Sequence, residues 1–101
     1  MSVMYALLIT LKANPGREDD VEQFLENALS LVKNEAATVT WYALRQDLDT
    51  FNIFDTFKTE EDRDAHLSGD LAEALNKISA ELLVAPPHIR PIEILAVKSV
   101  E

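Results

Sequence analysis

The sequence predicts an α+β fold in which four strands and two longer helices follow one another as strand, helix, strand, strand, helix, strand. Apolar residues alternate along four segments, which is typical of strands, and recur every three or four residues in two others, which is typical of helices. Residues 47–50 alone separate the second and third strand segments, so these are expected to pair as an antiparallel hairpin. Apolar residues also occupy both faces of the first and last strands.

The first half of the chain begins with a predicted strand, Met4–Lys12, and a turn at residues 14–16, where Asn, Pro and Gly follow one another. A helix is predicted over Glu18–Lys33, because its apolar side chains fall on one stripe. These side chains are Val21, Phe24, Leu25, Ala28, Leu31 and Val32. Residues 18–20 are all acidic and lie in the first turn, where the helix dipole favours negative charge.

The hairpin strands are predicted at Thr38–Gln46 and Phe51–Lys58. A short helix is then predicted over Glu60–Leu67, because Thr59 can cap it and an acidic residue follows three positions later. Ser68 and Gly69 are typical of a helix end. The hairpin and this short helix therefore form one continuous segment.

The last part of the chain predicts a helix over Asp70–Leu83 and a strand over Ile89–Lys98. One stripe of the helix is apolar, with Leu71, Leu75, Ile78 and Leu82. Pro86 and Pro87 separate the two elements, because neither residue can continue a helix. The resulting order βαββαβ favours a ferredoxin-like antiparallel sheet with helices on one face, in a single domain over residues 1–101.

The strands of this sheet are apolar on both faces. In the first strand, Leu7 and Ile9 point one way, while Ala6 and Leu8 point the other. Helices can cover only one face of the sheet, so the second face needs another cover. A second copy of the chain in a two-fold symmetric homodimer is one solution, and a ligand pocket on the open face is compatible with it.

Composition excludes several classes of function. A net charge of −9 argues against nucleic acids and anionic membrane surfaces as partners, because both require basic patches. The chain has no cysteine, which excludes disulfides, thiolate metal sites and a cysteine nucleophile. No apolar run approaches the roughly 18 residues of a membrane span, and no charged segment precedes a long apolar run as in a signal peptide, so a cytoplasmic location is expected.

His66 is the first candidate for chemistry, because the ordinary pKa of histidine, near 6.5, suits proton transfer at neutral pH. It lies on the predicted short helix, so it is a candidate general base. The alternative is a histidine that caps a backbone carbonyl at the helix end or pairs with Asp62 or Asp70.

Asp55 is the second candidate, because it lies among Ile53, Phe54 and Phe57 in a predicted strand. Burying a carboxylate costs several kcal/mol unless it is paired or hydrogen-bonded. Asp55 is therefore expected to orient His66 or to hold a substrate hydroxyl. The alternatives are a salt bridge to an arginine, at position 45 or 63, and a side chain turned to solvent.

Four further residues are candidates for a pocket. Trp41 and Tyr42 are adjacent in a strand, so one should face the helices and the other the opposite side of the sheet. The hairpin register decides which of them lies beside Asp55. Arg45 and Asn52 flank the hairpin and are candidates for a pocket mouth, although surface positions are the alternative. The sequence carries no nucleotide-binding or metal-binding motif, so neither a cofactor nor a metal is expected.

These residues resemble the antibiotic biosynthesis monooxygenase domain family, whose fold is a dimeric α+β barrel. The matching segments are 41–45, 53–57, 63–69, 82–83, 86–89 and 95–98, with the acid–aromatic pair Asp55 and Phe57 followed by His66. Many members have Glu-x-Trp where this chain has Asp55-Thr56-Phe57. The heme-degrading members rely on Asn, Trp and His at positions where this chain lacks them, so heme degradation is not expected.

The resemblance implies a cofactor-independent monooxygenase that oxidises a small quinol or phenol with O2. In that hypothesis His66 is the base, Asp55 orients it, and Trp41, Tyr42 and Phe57 are pocket walls. The alternative is a non-catalytic dimeric module of the same fold that binds a small ligand or acts in a stress response.

Overall fold

The elements follow the predicted order in a computed structural model that describes residues 5–98. The strands and helices are β1 (Tyr5–Lys12), α1 (Glu18–Val32), β2 (Thr38–Arg45), β3 (Thr50–Phe57), α2 (Glu60–His66), α3 (Asp70–Leu82) and β4 (His88–Glu93). Met4, predicted as the first residue of the first strand, lies outside the described residues. None of the described helices is long and apolar enough to cross a membrane.

The four strands form one sheet in the order β2-β3-β1-β4, and all neighbouring strands are antiparallel. This topology confirms the predicted ferredoxin-like α+β fold. In the register, Asp55 at the centre of β3 lies between Leu7 of β1 and Trp41 of β2. Asp47 stabilises the β2–β3 hairpin, because its carboxylate accepts hydrogen bonds from the backbone amides of Asp49 and Thr50.

The hydrophobic core lies between the helices and one face of the sheet. Alternate residues of β1 and β3 point into it, together with the apolar stripes of α1 and α3. Its members from β1 and β3 are Leu7, Ile9, Leu11, Phe51, Ile53 and Phe57, and those from the helices include Val21, Leu25, Ala28, Leu71 and Leu75. Asp55 belongs to the same face, so a carboxylate shares the side of the sheet that packs against the helices.

The opposite face of the sheet carries no helix and keeps several apolar side chains. Leu8 of β1 pairs with Phe54 of β3, and Phe54 pairs with Tyr42 of β2. The Tyr42 and Phe54 rings lie 6.4 Å apart, and Tyr42 remains 53% exposed. We call this surface, formed by Leu8, Tyr42, Leu44, Phe54 and Ile92, the open sheet face.

The last strand, β4, ends at Glu93, whereas the predicted strand extends to Lys98. The register pairs Glu93 with Tyr5, so a longer β4 would have to pair with residues that precede Tyr5. Leu95 and Val97 have strand-like alternation, but they are 87% and 63% exposed and pair with no other residue in the described range 5–98. Apolar alternation therefore predicted the element correctly but not its end.

Candidate functional site

A buried carboxylate on β3 is the first component of the candidate site. Asp55 is fully buried, and its cross-strand neighbours Leu7 and Trp41 offer no charge. A carboxylate in such surroundings is costly unless a charged partner reaches it. That partner comes from α2.

His66 is the last residue of α2 and points into the core, where it is 6% exposed. Thr59 caps the start of this helix, because its hydroxyl accepts a hydrogen bond from the amide of Asp62 and so fixes the first turn. Nε2 of His66 lies 2.9 Å from Oδ2 of Asp55. The structure thus brings together the two residues that the sequence analysis singled out, and His66 pairs with neither Asp62 nor Asp70.

The contact between His66 and Asp55 joins two close atoms without an aligned hydrogen bond, and it is an ion pair when His66 is protonated. Although Nε2 and Oδ2 are close, neither oxygen of Asp55 has a hydrogen-bond partner among residues 5–98. Nε1 of Trp41, the cross-strand neighbour of Asp55, is also buried without a partner there. Buried polar groups are normally satisfied, so these atoms are exceptions among the described residues.

A third residue, Glu35, completes the cluster from the loop between α1 and β2. Its Oε1 lies 2.6 Å from Nδ1 of His66 and accepts a second hydrogen bond from Thr38 Oγ1, at 3.0 Å. The sequence analysis did not identify Glu35, because it lies in a loop without periodicity. The one local sign of Glu35 is the turn before β2. This turn is closed by a hydrogen bond from the Thr38 amide to the carbonyl of Glu35, three residues earlier.

Burial and close contacts change the pKa values of Asp55 and His66. Burial raises the pKa of Asp55 above its ordinary value, and the nearby His66 offsets only part of that effect. Burial alone would lower the pKa of His66, but its contacts with Asp55 and Glu35 outweigh burial and leave the pKa raised. The cluster therefore holds its proton more tightly than the same groups would in water.

Two pockets border His66, and neither is lined by Asp55. An open groove of about 320 Å³ lies between the α1–β2 loop and the start of α3, and Glu35, Thr38 and His66 line part of it. A smaller pocket of about 60 Å³ lies between α3 and the sheet. Its lining is mostly apolar: Ile9, His66, Leu67, Leu71, Ala72, Leu75, Asn76, Pro87 and Ile89. His66 is thus the one residue of the cluster that reaches an apolar space.

The three aromatic candidates occupy different environments. Trp41 shares the helix-facing side of the sheet with Asp55, whereas Tyr42 lies on the open sheet face beside Phe54. The register thus answers the question that the sequence left open. Phe57 is fully buried, with its ring centre 5.2 Å from that of His66. None of the three lines either pocket.

Arg45 and Asn52 lie away from the cluster. Arg45 pairs with Glu22 of α1, donates to the carbonyls of Asp47 and Leu48, and stacks 4.9 Å above the Phe51 ring. These contacts assign it to the support of the hairpin.

Asn52 points to the opposite side of the sheet from Asp55. It accepts a hydrogen bond from the Thr10 hydroxyl and donates to Gln46. Within the described part of the chain, no group of three or more His, Cys, Asp or Glu side chains is arranged to hold a metal ion.

The chain resembles proteins of known structure over nearly its whole length. A protein of unknown function from Nitrosomonas europaea is 41% identical, with a TM-score of 0.93, and the match covers 98% of this chain and 96% of that one. A protein from Pseudomonas aeruginosa, 20% identical with a TM-score of 0.79, matches 95% of this chain and 98% of its own. At that level of identity the likeness shows the fold alone.

Comparison with protein families gives a further result. No curated protein matches the chain. The sequence pattern of the family described as antibiotic biosynthesis monooxygenase matches residues 4–77, which include β1 to β3, α2, Asp55 and His66. This match confirms the resemblance that the sequence analysis drew from the strand and short-helix residues. The chain therefore belongs to the antibiotic biosynthesis monooxygenase family.

Proposed function

We propose that this protein is a cofactor-independent monooxygenase that oxidises a small, electron-rich phenol or quinol with O2. The observation that carries the proposal is the position of His66. It lies on the wall of the apolar pocket between α3 and the sheet, and two carboxylates contact its ring nitrogens. A titratable group between an apolar pocket and buried acids is the usual arrangement for proton transfer in an enzyme.

The proposed reaction begins when His66 takes the hydroxyl proton of the bound substrate. The phenolate passes one electron to O2, which gives a phenoxyl radical and superoxide. These two radicals combine at the para carbon of the ring to form a peroxide. The oxygen–oxygen bond then breaks, and loss of water from the peroxide leaves a quinone. A phenol with a free para position and one molecule of O2 thus give one para-quinone and one molecule of water. One oxygen atom enters the product and the other leaves as water, while the protein contributes desolvation, orientation and the base.

The apolar pocket must widen to admit an aromatic ring. Its volume of about 60 Å³ is below the ~150 Å³ of an engineered apolar cavity that binds benzene. Leu71 and Leu75 of α3 line it, and we propose that their side chains move apart as the substrate enters. Trp41 and Phe57 lie on this side of the sheet but do not line the pocket, so a role in its inner wall depends on this widening. Tyr42, Arg45 and Asn52 have no place in this version of the site.

Oxygen uptake by the purified protein tests the proposal directly. We expect uptake without added cofactor for at least one member of a panel of hydroquinones and phenols. His66→Gln, which keeps much of the side-chain volume, should lower kcat on the order of 10²- to 10⁴-fold, the usual contribution of a general base. The matched control is His88→Gln, because His88 is exposed on β4 and should leave the rate unchanged. Uptake should rise with pH as His66 loses its proton, at a pH above the ordinary value for histidine.

A second candidate function is a non-catalytic module that binds a small ligand or acts in a stress response. This function is favoured by the contacts within the cluster. Both ring nitrogens of His66 already contact carboxylates, and Asp55 lines neither pocket. Equilibrium binding of the same phenols without any oxygen uptake would support this module. Uptake by His66→Gln at the wild-type rate would instead remove His66 from the mechanism.

We further propose that the protein is a homodimer in which two copies cover each other's open sheet face. The support is the apolar character of that surface, where Tyr42 and Leu44 are 53% and 45% exposed on a face that carries no helix. Light scattering with gel filtration should give twice the mass of one chain. Tyr42→Glu should shift the protein to a monomer, because it places a charge in the interface.

The matched control for the dimer is Leu48→Glu. Leu48 is 81% exposed at the tip of the β2–β3 hairpin, so the same substitution adds the same charge away from the open sheet face. It should leave the mass unchanged. A wild-type protein that runs only as a monomer would contradict the proposal.

A further inference from the structure

We infer that Glu35 is a positioning residue that fixes the ring of His66 and holds the proton of the neutral imidazole on Nδ1. The inference rests on the proposed function, in which His66 is the base, and it assigns a role to a residue outside the predicted site.

The geometry fixes the direction of the hydrogen bond between these residues. Oε1 of Glu35 lies 2.6 Å from Nδ1 of His66, and an ionised carboxylate can only accept. Nδ1 therefore carries the proton, and in a neutral imidazole the other nitrogen is then the acceptor. The contact at Nε2 is longer, with Oδ2 of Asp55 at 2.9 Å and no aligned hydrogen bond, so we infer that the shorter contact at Nδ1 sets the tautomer.

Two further contacts hold Glu35 in place. Thr38 Oγ1 donates to the same Oε1 at 3.0 Å, and the Glu35 amide donates to the Val32 carbonyl at the end of α1. Thr38 itself pairs with Phe57 in the sheet, and the Phe57 ring lies beside His66. The Glu35 carboxylate thus contacts β2, the His66 ring packs against β3, and the two strands pair at this point. Supporting contacts of this kind allow a residue outside the reacting group to hold that group in orientation.

The corner between α2 and α3 also lies close to this carboxylate. A Cβ at Gly69 would lie 3.4 Å from the carbonyl oxygen of His66 and 3.7 Å from Oε2 of Glu35. The carboxylate of Glu35 therefore lies within ordinary contact distance of the corner that follows the helix that carries His66.

The charged groups that face His66 come from four elements. Asp55 approaches from β3 and Glu35 from the α1–β2 loop, while Asp62 of α2 and Asp70 of α3 line the same groove. All four are acidic, so removal of Glu35 leaves His66 with Asp55 as its one direct carboxylate contact. The proton of the neutral imidazole is then expected to move to Nε2, toward Asp55, so that Nδ1 becomes the acceptor and the ring presents its proton on the opposite edge.

Nuclear magnetic resonance of protein with ¹⁵N-labelled histidine tests this inference without any substrate. In the wild type at high pH, the nitrogen shifts should report a neutral His66 with the proton on Nδ1. In Glu35→Ala the proton should lie on Nε2. Glu35→Gln keeps the size of the side chain but removes its charge, so the pKa of His66 should fall relative to the wild type. Glu26→Gln removes one charge at an exposed position of α1 and should change neither measurement.

The outcomes separate this inference from the proposed function. A proton that stays on Nδ1 in Glu35→Ala, with an unchanged pKa in Glu35→Gln, would overturn the positioning role. If a substrate is found, kcat should fall on the order of a hundredfold in Glu35→Ala, the lower end of the contribution of a base, with KM nearly constant. If no substrate is oxidised, the proposed monooxygenase fails while the tautomer measurement still decides the role of Glu35.

Discussion

Replacement of His66 with alanine is expected to lower the free energy of unfolding by about 3–5 kcal/mol near neutral pH. The substitution removes one partner of a buried ion pair and leaves Asp55, which is fully buried, without a compensating charge. The loss should be larger than that of an ordinary surface histidine, because the carboxylate that loses its partner is fully buried. Urea denaturation followed by circular dichroism measures it, and His88→Ala, at an exposed position, should change stability by about 0.5 kcal/mol or less.

The pH dependence of this loss follows from the two raised pKa values. The raised pKa of His66 means that its contribution to stability is complete below pH 6.5 and is lost as pH rises through its folded-state value. The raised pKa of Asp55 means that burial costs stability increasingly as pH rises from 3.8. His66→Ala should therefore be tolerated best near pH 4, where Asp55 can be protonated, and should cost most near neutral pH.

A double variant identifies the cause of the loss. In Asp55→Asn/His66→Ala neither charge is present, so the variant should lose the pH dependence and recover part of the stability. A destabilisation of His66→Ala that is equal at pH 4 and pH 7 would contradict the ion-pair explanation. It would assign the loss to the packing of a side chain that is only 6% exposed.

The fold could be predicted because each element carries its own signal. Alternation in β1 and β3, the apolar stripes of α1 and α3, and the short hairpin link act locally, so one sequence suffices to read them. The end of β4 could not be read in this way. Leu95 and Val97 continue the apolar pattern, but a strand needs a partner, and within residues 5–98 the register with β1 extends only to Glu93.

The candidate site was predictable only in part. Asp55 and His66 stand out because a carboxylate within an aromatic strand needs a partner, and the helix that follows supplies it. Trp41 and Tyr42 could not be assigned to a side, since a shift of one residue in register exchanges the faces of a strand. Glu35 could not be found at all, because a loop has no periodicity and its partner is 31 residues away.

Phe57→Ala is expected to lower the free energy of unfolding by about 3–5 kcal/mol, the usual cost of truncating a buried phenylalanine to alanine. Phe57 is fully buried at the end of β3, and its ring lies 5.2 Å from that of His66. The cavity left by the ring would adjoin the Asp55–His66 pair and admit water to it. The pKa of Asp55 should then fall toward its ordinary value, because burial is the main cause that raises it.

Phe57→Leu is the matched control, since it keeps most of the apolar volume and should cost less than about 1.5 kcal/mol. Urea denaturation measures both variants, and a carboxyl-carbon chemical shift titration of Asp55 reports its pKa. In the predicted site Phe57 is a pocket wall, whereas in the structure it belongs to the core. The two positions lead to different expected losses of stability for Phe57→Ala. A wall residue beside a preformed cavity should tolerate alanine with little loss of stability. A loss of less than about 1 kcal/mol for Phe57→Ala would therefore contradict the core assignment and support a place in the pocket wall. The expected loss of about 3–5 kcal/mol would mean that a substrate must displace packed side chains to reach Phe57.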